Sequence, residues 1–137
     1  FSKFSPKEIK DLVKKMRAAM KKAHGIGLSA NQIGLEVKVF VANVKNKFYV
    51  LFNPKIIKYS EEIMADEEGC LSAPDIYGPV ERSSKVTLAG QEANGKKVKI
   101  KAWGLLARVF QHEVDHLNGV LFIDKAIEIY KYEKLRK

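Results

Sequence analysis

Cysteine is nearly absent: Cys70 is the only one in 137 residues, so no disulfide can form within the chain. A lone thiol belongs in a reducing compartment. Long hydrophobic runs are missing too. The longest, such as VFVANV and YVLFN, are far too short to cross a bilayer, so no membrane role is expected. No charged-then-apolar segment opens the chain, which gives no secretion address. The chain opens on Phe1 rather than methionine, as a processed or trimmed chain does. Repeats, linkers and low-complexity segments are also lacking. Hydrophobic residues make up 46%, which argues for one globular domain over residues 1–137 and against disorder.

Acidic residues are in deficit, 16 against 25 Lys plus Arg, leaving a net charge of +9. Such a balance favours polyanionic neighbours, RNA above all, through counterion release. The lysines are scattered, however, and no zinc-finger or RNP-type signature accompanies them. A well-solvated surface is the plainer account.

Ser5-Pro6-Lys7-Glu8 reads as a helix start, with an N-cap serine, proline at the first helical position and a glutamate completing a capping box. Ile9, Leu12, Val13, Met16 and Met20 then recur at helical spacing up to a stop at His24-Gly25. From Val37 the period changes to two, and strands are expected through Val41, over Phe48–Phe52 and over Ile56–Tyr59. Asn46 and Asn53-Pro54 mark turns between them. Further strands are expected at Val80–Ala89 and Val98–Ala102, with a hairpin turn at Asn94-Gly95. A second helix runs from Leu105 to Leu117 and stops at Asn118-Gly119, and Ala126–Lys137 reads as a short basic helix. The expected fold class is α+β, with short antiparallel strands packed around a central metal-binding helix and a helix preceding them.

The metal reading comes from QHEVDHLNG at 111–119. On a helix His112 and His116 share one face a turn apart and can grip a single ion, while Glu113 is set to reach water beside it. Leu105 and Val109 lie on that same face, so the pair is expected to point into the core. The extended protease pattern needs a third histidine at position 122, where phenylalanine stands. His24 reads as a surface residue at a helix C-terminus. Glu128 or Glu133 could supply the third ligand, as in zinc endopeptidases. Cys70 is favoured, because it follows two glutamates and a glycine rather than lying in an apolar strand. A thiolate with two imidazoles leaves one tetrahedral position for water, the catalytic arrangement. A basic RNA-binding module with a structural metal is the third reading, and it needs a fourth protein ligand that the sequence does not offer.

GIGLSANQIG (25–34), EGCLS (68–72) and QHEVDH (111–116), in that order, resemble the three motifs of the peptide deformylase family. The likeness runs from the first helix through RVFQHEVDHLNGVLFID. It implies hydrolysis of the N-formyl group from the formylmethionine of nascent chains, with release of formate. It also implies Cys70, His112 and His116 as ligands of one divalent ion, Fe2+ in the cell, with Zn2+ or Ni2+ able to substitute. Glu113 would be the general base, with the Gln32 side-chain amide and the Leu71 backbone N–H holding the oxyanion. The backbone at Ile26, Gly27 and Gly69 would pair with an extended peptide. The implied partners are formylmethionyl nascent peptides and, through the basic surface and tail, the ribosome. A monomer is expected, in a bacterial cytoplasm or in an organelle after removal of a transit segment. Two departures from the family stand out. A segment carrying Pro-Asp-Pro and Leu-Arg before the first helix is missing, and Ser29 replaces a commoner alanine, a change expected to be harmless.

Overall fold

The structure, a computed structural model, describes residues 4–23, 25–35, 37–70, 73–119 and 130–131, without the side chains of 67, 69, 70, 73–78 and 130–131. Helix α1 covers Pro6–Lys22. Its capping box forms as expected: Glu8 N donates to Ser5 Oγ at 3.2 Å, and Ser5 N donates to Glu8 Oε1 at 3.0 Å. The helix stops slightly early, with Ala23 as its C-cap; His24 lies outside the described residues.

Strands β1 (Gly27–Ser29), β2 (Val39–Val44), β3 (Lys47–Tyr59), β6 (Lys85–Gln91) and β7 (Lys97–Trp103) form one antiparallel sheet in the order β1-β2-β3-β6-β7. A second sheet has the order β4-β5-β8, from β4 (Ile63–Cys70), β5 (Ala73–Ser83) and β8 (Tyr130–Lys131). Helix α2 spans Gly104–Leu117. The period-two pattern of β2 explains the layering. Phe40, Ala42 and Val44 face one core cluster with Ala107, Val109, Phe110 and Val114 of α2. Val39 and Val41 face the other cluster, with Ile9, Met16 and Met20 of α1. The sheet is thus covered on both faces, and Phe110 seals one of them, 5.6 Å from the Phe40 ring and 5.5 Å, edge-on, from Tyr49. Met16 and Met20 are fully buried, each contributing about 2 kcal/mol of apolar transfer.

Three expectations need correction, and one strand was not expected. Asn53-Pro54 is not a turn: β3 continues through it as a bulge, with Asn53 at φ 49. A bulge tolerates a proline that cannot donate to the ladder. The strand expected over Val80–Ala89 is two strands, broken at Ser84. Strand β4 had no forecast, because its IMADEEGC is acidic and does not alternate. Tyr130–Lys131, expected to be helical, pairs instead with Ile76 and Tyr77 of β5, where an open sheet edge outweighs local helix propensity; the rest of that tail lies outside the described residues. The turns at Lys45-Asn46 and Asn94-Gly95 agree with expectation; Lys45 and Asn46 both take positive φ, as a two-residue hairpin requires. Among the described residues no helix is long and apolar enough to cross a membrane.

Candidate active site

Helix α2 carries an unusual load of buried polar groups: Arg108, Gln111, Glu113 and His116. Buried polar groups need partners, so each reports a constraint. Gln111 is a clamp. Its amide donates to Ser83 O at 2.8 Å and Ala107 O at 3.0 Å and accepts from Ser83 N at 3.2 Å, which fastens α2 to the end of β5. At the other end Asn31 Nδ2 donates to His116 O at 2.6 Å, tying the short 3-10 helix Ala30–Ile33 to the last turn of α2. Beyond it, Gly119 at φ 79 ends the helix where Asn118-Gly119 was expected to. Leu105 departs from expectation: it is exposed, because the first turn of α2 overhangs beside Met64 and Ser83 instead of the core.

The two histidines converge. Their rings lie 4.8 Å apart between centroids, with His112 Nε2 and His116 Nε2 3.1 Å apart. Two nitrogens bonded to one tetrahedral ion at 2.0–2.1 Å would stand roughly 3.3 Å apart. The pair therefore fits one small divalent ion.

The sequence reading missed what orients His112. Glu68 accepts from His112 Nδ1 at 2.7 Å, which puts the ring proton on Nδ1 and turns Nε2 to the site. Glu68 also accepts two parallel bonds from Arg82, both 2.9 Å, and one from Arg108 at 2.5 Å. Burial by itself would raise the Glu68 pKa. The hydrogen bonds from His112 and Arg82, together with the Arg82 charge, outweigh it and hold the carboxyl at about 2. Arg108 reaches on to Val80 O and Met64 O, and Arg82 also pairs with Asp115, the residue before His116 on α2. A glutamate two residues before Cys70 was the one available signal; nothing in spacing singled out either arginine.

Glu113 is buried, and its carboxylate packs on Gly27: a Cβ there would lie 2.5 Å from Oε2. Gln32, half-buried, turns its Oε1 to the Ser29 backbone N–H and hydroxyl, each at 2.9 Å. Ile26 is half-exposed, and its carbonyl accepts from Asn43 N at 2.8 Å. Gly27 lies in β1 and Gly69 in β4, both at sheet edges among the described strands. Cys70 ends β4, but its side chain lies outside the description, as do Leu71, Glu128 and Glu133. Among the described residues no three His, Cys, Asp or Glu side chains form a metal-holding group. The structure thus joins His112 with His116 and Glu113 with Gly27, both through α2, and sets Gln32 beside Ser29, two residues after Gly27.

Paired imidazoles and a buried carboxylate on one helix of an α+β domain are a side-chain set of the kind metal-dependent hydrolases use. The family model for polypeptide deformylase matches residues 1–132. The peptide deformylase of Dictyoglomus thermophilum is 43% identical over 121 residues, 88% of this chain and 78% of that one. That of Treponema pallidum is 42% identical over 130 residues, covering 95% and 80%. The crystal structure of peptide deformylase from Thermotoga maritima superposes with a TM-score of 0.86 at 39% identity, over 89% of this chain and 83% of that one. The chain belongs to the polypeptide deformylase family, hydrolases that remove the formyl group from N-formylmethionine peptides. That membership sets aside the endopeptidase and RNA-module readings.

Proposed function

We propose that residues 1–137 act as a single catalytic domain in which Cys70, His112 and His116 hold one divalent ion, Fe2+ in the cell, with Zn2+ or Ni2+ able to substitute. The observation that carries the reading is the 3.1 Å approach of the two Nε2 atoms, with His112 oriented by Glu68. Such an ion supplies Lewis-acid chemistry, polarising the formyl carbonyl and lowering the pKa of water toward neutrality. Glu113 takes the proton of the attacking water and delivers it to the departing amine. The Gln32 amide and the Leu71 backbone N–H donate to the oxyanion. Edge strands β1 and β4 flank the same helix, β1 through Gly27 against Glu113 and β4 through Glu68 against His112. A peptide added as a strand along Gly27 and Gly69, near Ile26, places its formyl end between them.

The substrates are nascent formylmethionyl peptides, met by a monomer in a bacterial cytoplasm or an organelle, with the basic tail in contact with the ribosome. The test is formate release from a formylmethionyl peptide by protein stripped of metal and reloaded with Fe2+, Ni2+ or Zn2+. Activity should vanish on stripping and return on reloading. Cys70→Ala should hold less than one equivalent of metal and lose turnover; a full equivalent with normal turnover would remove Cys70 from the ligand set.

A further inference from the structure

We infer that Ser29 is a positioning residue for the reaction: its hydroxyl holds the Gln32 amide with N–H, not C=O, turned to the substrate oxygen. This rests on the reading of Gln32 as an oxyanion donor. A side-chain amide is nearly symmetric in shape, and a half-turn about its last bond exchanges oxygen for nitrogen. In the wrong orientation the carbonyl would repel the developing negative charge instead of stabilising it. Something must select one orientation before substrate arrives.

Ser29 is fully buried at the N-terminus of the 3-10 helix Ala30–Ile33. Its backbone N–H and its hydroxyl both donate to Gln32 Oε1, each at 2.9 Å. This is the capping-box geometry of an S-x-x-Q start, readable in Ser29-Ala30-Asn31-Gln32. The backbone N–H, which can only donate, disfavours the flipped amide, and the hydroxyl adds to that preference by donating to the same oxygen. They also place the amide nitrogen on the opposite edge of the group. Drawing charge onto Oε1 makes the amide N–H a stronger donor, since linked hydrogen bonds polarise one another. The hydroxyl is committed to this role because Ser29 is fully buried and its Oγ donates to Gln32 Oε1. An alanine at 29 would keep the backbone donor and lose the second one. Ser29 is thus more than the harmless small-for-small change expected from its size.

The benefit falls on the transition state, where the oxygen becomes anionic, so kcat should respond more than KM. The experiment is a double-mutant cycle on formate release from a formylmethionyl dipeptide, using Ser29→Ala, Gln32→Leu and the double variant, with metal content and melting recorded for each. We expect Ser29→Ala to lower kcat roughly three- to tenfold, the scale of one hydrogen bond, at nearly unchanged KM and metal content. In the Gln32→Leu background the same substitution should cost nothing further in kcat. The 15N-labelled side-chain NH2 of Gln32 should give a resolved proton pair in the wild type that shifts or broadens in Ser29→Ala. Additive losses in the double variant, or unchanged kcat and NH2 resonances in Ser29→Ala, would overturn the role of Ser29. Wild-type turnover in Gln32→Leu would remove the donor role of Gln32 itself, a failure distinct from that of Ser29.

Discussion

Gly27 lies so close to Glu113 that a Cβ on it would fall 2.5 Å from the carboxylate Oε2 and 3.1 Å from Cδ. The glycine is required there because its missing side chain is the space the Glu113 carboxylate occupies. Gly27→Ala should push the carboxylate aside by an ångström or so while leaving the histidines untouched. Turnover should fall by about 10²-fold, the cost of a misplaced catalytic group. Bound metal should remain near one equivalent. Normal kcat in Gly27→Ala would mean that the contact does not set the position of the base.

Glu113 itself separates proton transfer from ligation. Glu113→Gln keeps the size of the side chain and removes its basicity. Metal content should be near normal, with turnover reduced roughly 10²–10⁴-fold. His116→Ala should lose the metal. The reverse pattern, metal lost with Glu113→Gln and kept with His116→Ala, would mean that the roles along α2 are misassigned.

Glu68 supports both the fold and the site. Its carboxylate is the shared counter-charge of Arg82 and Arg108 and the acceptor for His112. Glu68→Gln takes the described counter-charge from buried Arg108 and leaves Arg82 with Asp115 alone, and stability to urea should drop by about 3 kcal/mol. Metal affinity, read by competition with a chelator, should weaken by about 10–100-fold because His112 loses its orienting partner. Unchanged affinity at reduced stability would confine Glu68 to a purely structural role.

The basic tail, with Lys131, Lys134, Arg136 and Lys137, is proposed to contact ribosomal RNA. A chain ending at Lys125 should co-sediment less with ribosomes, and binding of the full chain should weaken as salt rises. Equal co-sedimentation of the two chains would take the tail out of the contact.

What the amino-acid order determined by itself was everything local. The Ser5–Glu8 capping box set the start of α1, Lys45-Asn46 and Asn94-Gly95 formed the hairpin turns, and the four-residue spacing of His112 and His116 put both on one helix face. Each of these depends on residues within a turn or two of chain, where spacing and backbone preference act without help. The ordered motifs named the family for the same reason. Only tertiary structure decided the rest. Asn53-Pro54 could be a turn or a bulge on local grounds, and pairing with β6 settled it as a bulge. The acidic β4 became a strand by pairing along its length with β5, and its buried Glu68 is balanced by Arg82 and Arg108. His112 takes its orientation from a carboxylate 44 positions away, and Gly27 makes room for the Glu113 carboxylate on another element. Contacts over such separations leave no periodic trace in a sequence, because they exist only once sheet and helix have packed and water has been excluded from between them.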